Sequence, residues 1–359
     1  MNPIDAAREV LMAARAAAVF PAATAEAGDS AAPLWREALG TLTFEPGSPS
    51  ASAHTPFDLA SLTKVIATTS LVMRLVRDGS LSLDEPIAAA FAEWRGTDRD
   101  EATVRDLLEH ASGMAARLID PPGVGRREFE HDICTAALEC KPRSKAIYSD
   151  LGFILLGFLI ADRGGAPLAP QLDRLLATML DTPSTDAADV LAFNLSADLG
   201  GLAAPTVPMP DDLRRGRLLV GEVHDNYAAA LGGAAGHAGL FGTAGAVGAF
   251  ARVVLRAARG DATMPEPFAP DLVSAFTTRS AVPGSSRALG WDTMLPTSSC
   301  GTRMSASAFG HVGFTGTSLW IDPARDRYFV LLANRAAGAA GIEEMRRVRR
   351  AFHDALGDL

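Results

Sequence analysis

Lysine is almost missing from this chain: of 33 basic residues, all but Lys64, Lys141 and Lys145 are arginine. Cysteine is as scarce. Cys134, Cys140 and Cys300 are odd in number and lack Cys-x-x-Cys or Cys/His spacing, which excludes a disulfide framework and a structural zinc site. No apolar run reaches the ~20 residues that a membrane-spanning helix needs, and the basic residues form no stripe against a net charge of −9, so nucleic acid is excluded as a partner. The first residues lack the basic start of a secretory signal: Asp5, Arg8 and Glu9 stand there, and Leu11–Phe20 is broken by Arg15. A cytoplasmic location is therefore expected. There is no Pro/Ser-rich linker, no fixed-period repeat and no low-complexity tract beyond an alanine bias, so one unit with two lobes is expected in 359 residues.

What the chain does have is a composition of 48% hydrophobic and 21% charged residues, enough for a large core and incompatible with disorder or a coiled coil. Apolar spacing predicts a first helix from Pro3 to Val19, then two short strands, Ala22–Ala27 and Leu34–Leu42, divided by Gly28-Asp29. A buried helix is predicted from Ser61 to Val76, closed by Asp78-Gly79. Further helices are predicted over Thr103–Glu109, Glu130–Leu138, Leu151–Ala161 and Leu168–Leu180. Near the end, Ser318–Ile321 and Arg327–Asn334 read as strands joined at Asp322-Pro323, and Gly341–Leu356 as an amphipathic helix. The expected class is α+β: a sheet lobe from about 1–60 and 270–359, with a mostly helical lobe, about 61–269, inserted between them.

Chemistry concentrates in three fragments. In the first, Ser61-Leu62-Thr63-Lys64 opens a buried helix and places a hydroxyl and an amine one turn apart on one face. A lysine desolvated there can give up its proton and take one from the serine, which is the activation a weak nucleophile needs. The ordinary alternative is a helix N-cap followed by a lysine whose stem lies on the core. The second fragment is Tyr148-Ser149-Asp150, ahead of the apolar helix at Leu151; its alternative is a capping Asp and a core Tyr. The third is Phe309-Gly310-His311-Val312-Gly313-Phe314-Thr315-Gly316-Thr317, where glycine lets a ligand approach the backbone closely; its alternative is a bulged edge strand carrying a solvated His.

These fragments resemble, in order and approximate spacing, the Ser-x-x-Lys, Tyr-x-Asn and Lys/His-Thr-Gly elements of the serine β-lactamase and penicillin-binding protein superfamily. The resemblance is to its class C β-lactamase-related branch, which also holds D-alanyl-D-alanine carboxypeptidases, esterases and D-amino-acid amidases. Thr103–Gly113, Ala235–Phe241 and Gly316–Pro323 resemble the same branch, so the likeness spans about residues 20 to 355. It implies a β-lactamase/transpeptidase-like fold, with an antiparallel sheet flanked by the terminal helices, and a cofactor-free and metal-free serine hydrolase acting on a small-molecule or peptide substrate: an ester, an amide or a D-amino-acid peptide. In that reading Ser61 is the nucleophile, Lys64 the base and Tyr148 the proton shuttle. The amides of Ser61 and Phe314 form the oxyanion hole beside Gly313, Asp150 contacts Lys64, and His311 tunes Tyr148 and meets an anionic part of the substrate. The alternatives are a true class C-type β-lactamase and a penicillin-binding or ligand-binding member without turnover.

Two departures bear on substrate. Asp150 stands where the family usually has Asn and adds a negative charge, and Val312 replaces its Thr and removes a hydroxyl donor. Together they predict that a neutral ester is turned over faster than nitrocefin or a D-Ala-D-Ala peptide. Elsewhere, His224-Asp225 and His237 lack metal-ligand spacing and are assigned loop or packing roles, His110 a structural one, and the glycines from Gly232 to Gly245 a flexible wall of the cleft. Composition and spacing leave the oligomeric state open.

Overall fold

Ala22–Gly28 forms the first strand, β1, and every one of its residues is buried. The computed structural model describes residues 2–96, 98–118, 123, 125–179 and 188–359. Among these the further strands are β2 (Pro33–Gly40), β3 (Phe57–Asp58), β4 (Leu191–Phe193), β5 (Leu240–Gly242), β6 (Asp292–Thr293), β7 (Phe309–Val312), β8 (Ser318–Asp322) and β9 (Arg327–Ala333). Six make one antiparallel sheet in the order β2-β1-β9-β8-β7-β6, and β3-β5-β4 make a second, small one. β1 lies between its hairpin partner β2 and the distant β9, with Ala23 opposite Ala333. The chain's two ends are thereby joined in one sheet.

Small residues suit β1 because helices cover both of its faces. Ala23, Ala25 and Ala27 point with Phe329, Leu331 and Ala333 into a core built from the terminal helices Pro3–Ala16 and Ile342–Leu356, through Ala7, Leu11, Phe352 and Leu356. On the opposite face Ala22, Val330 and Leu332 join the larger core with the helix Ala244–Ala258 and the helical lobe. That two-residue alternation is the strand period expressed in burial. Two residues of β1, Thr24 and Glu26, break the apolar pattern, and only Glu26 is charged. Glu26 is fully buried and accepts hydrogen bonds from Arg36 Nε (2.6 Å), Tyr328 Oη (2.6 Å) and Arg252 (3.3 Å). Burial raises its carboxyl above the usual range, and Tyr328 and the two arginines oppose the rise.

Most predicted elements appear with shifted ends. The first helix stops at Ala16, and the one expected over Thr103–Glu109 spans Val104–Leu108, with Thr103 and Asp106 forming a reciprocal cap. The one expected over Glu130–Leu138 instead runs Arg126–Thr135, because its polar first turn hides the start and the amide of Glu139 is diverted to the carbonyl of Gly113. The helix from Leu168 runs to Met179; Leu180 lies outside the described residues. Strands β3 to β6 and the helix Ala244–Ala258 were not anticipated. The glycine stretch from Gly232 is no flexible wall where it meets the helix that follows Ser61: Ala235 to Gly242 is buried, and Gly236 lies so close to Phe153 and Gly157 that a side chain has no room. Among the described residues no single helix is long and apolar enough to cross a membrane.

Candidate active site

β3 delivers the chain to Ser61 through a strained turn. Ala60 sits in the left-handed region at φ 46°, a conformation that costs an L-residue about 1–2 kcal/mol. The turn is held by Asp58, whose carboxylate accepts from the amides of Ala60 (2.8 Å) and His224 (2.6 Å) and whose carboxyl burial pushes up to about 6. The next three amides, of Leu62, Thr63 and Lys64, each bond the carbonyl three residues back. Such 3₁₀ winding eclipses residues i and i+3, so Lys64 stacks over Ser61 and its Nζ donates to Ser61 Oγ at 3.0 Å. The uniform α-helix expected here is thus tight at its start, π-helical over Lys64–Thr69 and α-helical again from Ser70 to Arg77. π-turns are rare and recur at functional sites.

Lys64 is fully buried, and its three protons are all directed: to Ser61 Oγ, to Asp150 Oδ1 at 2.8 Å and to the carbonyl of His237 at 3.1 Å. Burial alone favours the neutral amine, but Asp150 and Tyr148 outweigh it and hold the ammonium above the ordinary lysine value. The expectation that desolvation frees Lys64 as a base is therefore corrected. In this arrangement Lys64 donates to Ser61, and all three of its protons are engaged.

Tyr148 is the neighbour with a titratable hydroxyl. The Lys64 ammonium lies 4.9 Å from its ring centre and the Arg287 guanidinium 5.0 Å from it. His110 packs on the ring at 4.6 Å, and its Nδ1 accepts from the amide of Ser149 at 3.0 Å, fixing the turn that presents Tyr148. His311 is 5.8 Å from the same ring. Burial, then Arg287 and Lys64, hold both histidines well below the usual imidazole range, so both are neutral. His311 Nδ1 faces the Val312 carbonyl at 2.9 Å and therefore carries the hydrogen, which leaves buried Nε2 a bare acceptor with no partner among the described residues. A neutral ring whose Nε2 is an acceptor does not suit the expected contact of His311 with an anionic part of the substrate. Arg287, which spacing did not single out, is the second cation beside Tyr148 and has no acidic partner among the described residues.

The third fragment lies against the first. Thr315 and Thr317 hydroxyls donate to the carbonyls of Asp58 (2.7 Å) and Leu59 (2.9 Å), and a side chain at Gly313 would strike Thr317 and Leu59. From the other side Arg335 donates twice to the Phe314 carbonyl (2.7 and 2.9 Å), and buried Arg349 donates to the carbonyls of Gly313 and Thr317. Clamped in this way, the amides of Ser61 and Phe314 donate to no other group among the described residues. Two unspent amides beside the Ser61 hydroxyl have the donor capacity that an oxyanion requires. The Phe314 ring stays 43% exposed and stacks on His224.

Sequence spacing also missed a set of charges behind Asp150. Its Oδ2 accepts from Arg117 (3.1 Å), and the same guanidinium nitrogen bonds Asp225 Oδ2 (2.7 Å), whose Oδ1 faces His237 Nε2 at 2.8 Å. His237 thus bonds Lys64 through its carbonyl, and Asp225, besides capping the helix Asn226–Ala230, pairs with Arg117 and His237. Against burial, Lys64 and His237 hold Asp150 below the ordinary carboxylate value, and His237 and Arg117 hold Asp225 well below it. Because both Asp150 oxygens are paired, the negative charge expected to repel an anionic substrate is neutralised inside the wall. Among the described residues no cluster of three His, Cys, Asp or Glu side chains could hold a metal ion.

A family model described as Beta-lactamase matches residues 13–353. A putative D-alanyl-D-alanine carboxypeptidase of Escherichia coli (strain K12) is 32% identical over 314 residues, covering 79% of this chain and 70% of that protein. An N-acetylmuramyl-L-alanine amidase of Bacillus subtilis (strain 168) is 30% identical over 307 residues, covering 79% and 68%. Among solved structures, EstCE1, a hydrolase with promiscuous acyltransferase activity, superposes with a TM-score of 0.75 at 18% identity over 99% of this chain and 98% of its own. A class C beta lactamase from Rhodobacter sphaeroides does so at 0.74 and 18% identity over 98% of each chain. At such identities the likeness is one of fold.

Proposed function

Because the chain belongs to the beta-lactamase family, we propose that it is a serine hydrolase that forms an acyl-enzyme on Ser61 with a small amide, ester or D-amino-acid peptide. The observation that carries this reading is Ser61 Oγ held 3.0 Å from a buried lysine, next to two unspent amides. Ser61 Oγ attacks the carbonyl carbon, the Ser61 and Phe314 amides take up the charge on its oxygen, and the serine proton passes through the Lys64–Tyr148 pair to the leaving group. Water then adds to the ester carbonyl, giving its proton back along the same path and releasing Ser61.

Arg287 ranks the substrates. With Asp150 neutralised and His311 uncharged, an unpaired guanidinium beside Tyr148 favours an acyl donor bearing a carboxylate, such as a D-amino-acid peptide, over the neutral ester favoured by sequence alone. A hydrogen bond to a charged group contributes about 1.5–3 kcal/mol. Arg287→Ala should therefore lower kcat/KM for a D-Ala-D-Ala peptide about ten- to a hundredfold, while p-nitrophenyl acetate changes less than about threefold. Equal losses on both would remove Arg287 from substrate recognition. The reaction itself is tested by intact-mass detection of covalent adducts after exposure to esters, D-Ala peptides and β-lactams. Adducts that turn over with peptide or ester support the proposal; turnover dominated by nitrocefin would establish a β-lactamase, and a stable adduct without turnover a receptor.

A further inference from the structure

We propose that Arg117, Asp225 and His237 are positioning residues that close a ring of charges around Asp150 and thereby hold Lys64 against Ser61. This inference rests on the serine-hydrolase reading above. It starts from Asp150, a carboxylate whose side chain is only 15% exposed, in a place where a neutral amide would leave no charge to compensate. A carboxylate out of water must be paired on both oxygens. Lys64 satisfies one; the other would be bare without Arg117.

Arg117 brings its own charge to be balanced, and Asp225 balances it. The guanidinium also donates to Asn226 Oδ1 at 2.8 Å and lies 3.9 Å from the centre of the Tyr227 ring, so its plane is fixed. Asp225 is fixed in turn as the cap of the helix Asn226–Ala230, its Oδ1 accepting from the amide of Ala228 at 2.8 Å. His237 closes the circuit: its ring faces Asp225, and its own carbonyl accepts the third proton of Lys64. Five residues from separate segments thus meet in a cycle of two cations, two carboxylates and one imidazole. Neither Arg117 nor Asp225 touches Ser61. Their effect on the reaction passes through the position of Asp150 and Lys64.

The proposal makes the need for Arg117 conditional on the charge of Asp150. Rates of Ser61 labelling by a fluorophosphonate, and kcat and KM for p-nitrophenyl acetate, would be measured for the native chain, Arg117→Ala, Asp150→Asn and the double variant. Arg117→Gln, which keeps the stem and a hydrogen-bond donor, runs beside them in case the alanine variant fails to fold. With Asp150 present, loss of Arg117 should slow labelling and kcat about ten- to a hundredfold with KM changed less than about threefold. With Asp150→Asn the same loss should cost less than about threefold, since Arg117 then balances only Asp225, which bonds neither Lys64 nor Ser61. Equal losses in both backgrounds would show that Arg117 serves packing alone and would overturn the ring. Failure of the native chain to label at all would instead defeat the serine-hydrolase reading and the ring with it.

Discussion

Ser61→Ala should abolish covalent adduct formation and turnover together, while the fold survives, because Ser61 is half-buried and the lost hydroxyl leaves the 3₁₀ turn intact. Residual rates should fall to those of the uncatalysed reaction plus what binding alone contributes, a loss of about 10⁴-fold or more. Lys64→Arg is the sharper partner experiment. The guanidinium can keep the ion pair with Asp150 but cannot act as a proton acceptor, so the protein should fold and lose most acylation. Native rates in either variant, read by intact mass and by p-nitrophenyl ester hydrolysis, would remove Ser61 or Lys64 from the chemistry.

The second large effect is expected at Tyr148. Tyr148→Phe keeps the ring between His110, His311 and the two cations and removes only the hydroxyl, so thermal stability should change little while kcat falls by about 10²–10⁴. The cause lies in the state of Lys64. An ammonium whose three protons are engaged with Ser61, Asp150 and the His237 carbonyl needs a second group to which its proton can move, and the neutral Nε2 of His311 is oriented by its own Nδ1 to accept from such a group. Full activity of Tyr148→Phe would place the relay elsewhere, and a fall in stability matching the fall in rate would assign the hydroxyl to packing.

The sequence announced Ser61 and Lys64 because two residues three apart carry their geometry with them, whatever the rest of the chain does. Tyr148 and Asp150 were legible for a related reason: a polar triplet ahead of a ten-residue apolar run marks a helix start. Arg117, Asp225, His237 and Arg287 were not legible as a site. They come from separate segments, no periodicity links them, and in a chain with so many arginines none stands out. Their partners are set by tertiary packing alone. The same holds for β3 and β6, each of two residues, too short to show an alternation. The charge carried by Asp150 was assigned to the substrate, since its balancing arginine lies 33 residues upstream.

β1 pairs along one edge with a strand that follows it closely and along the other with β9, and Ala23 and its partner Ala333 are 310 residues apart. At about 5–20 residues per second of synthesis, the second edge stays open for roughly 15–60 seconds after β1 leaves the ribosome. An open edge is a template for aggregation, and an inward-facing charge is one of the ways natural sheets protect it. Glu26 has that position. While the edge is open its carboxylate makes docking onto a neighbouring chain costly. When β9 arrives, Tyr328 joins Arg36 of β2 and Arg252 of the helix Ala244–Ala258 on the same carboxylate, so the group that guards the unfinished sheet becomes a bond of the finished one.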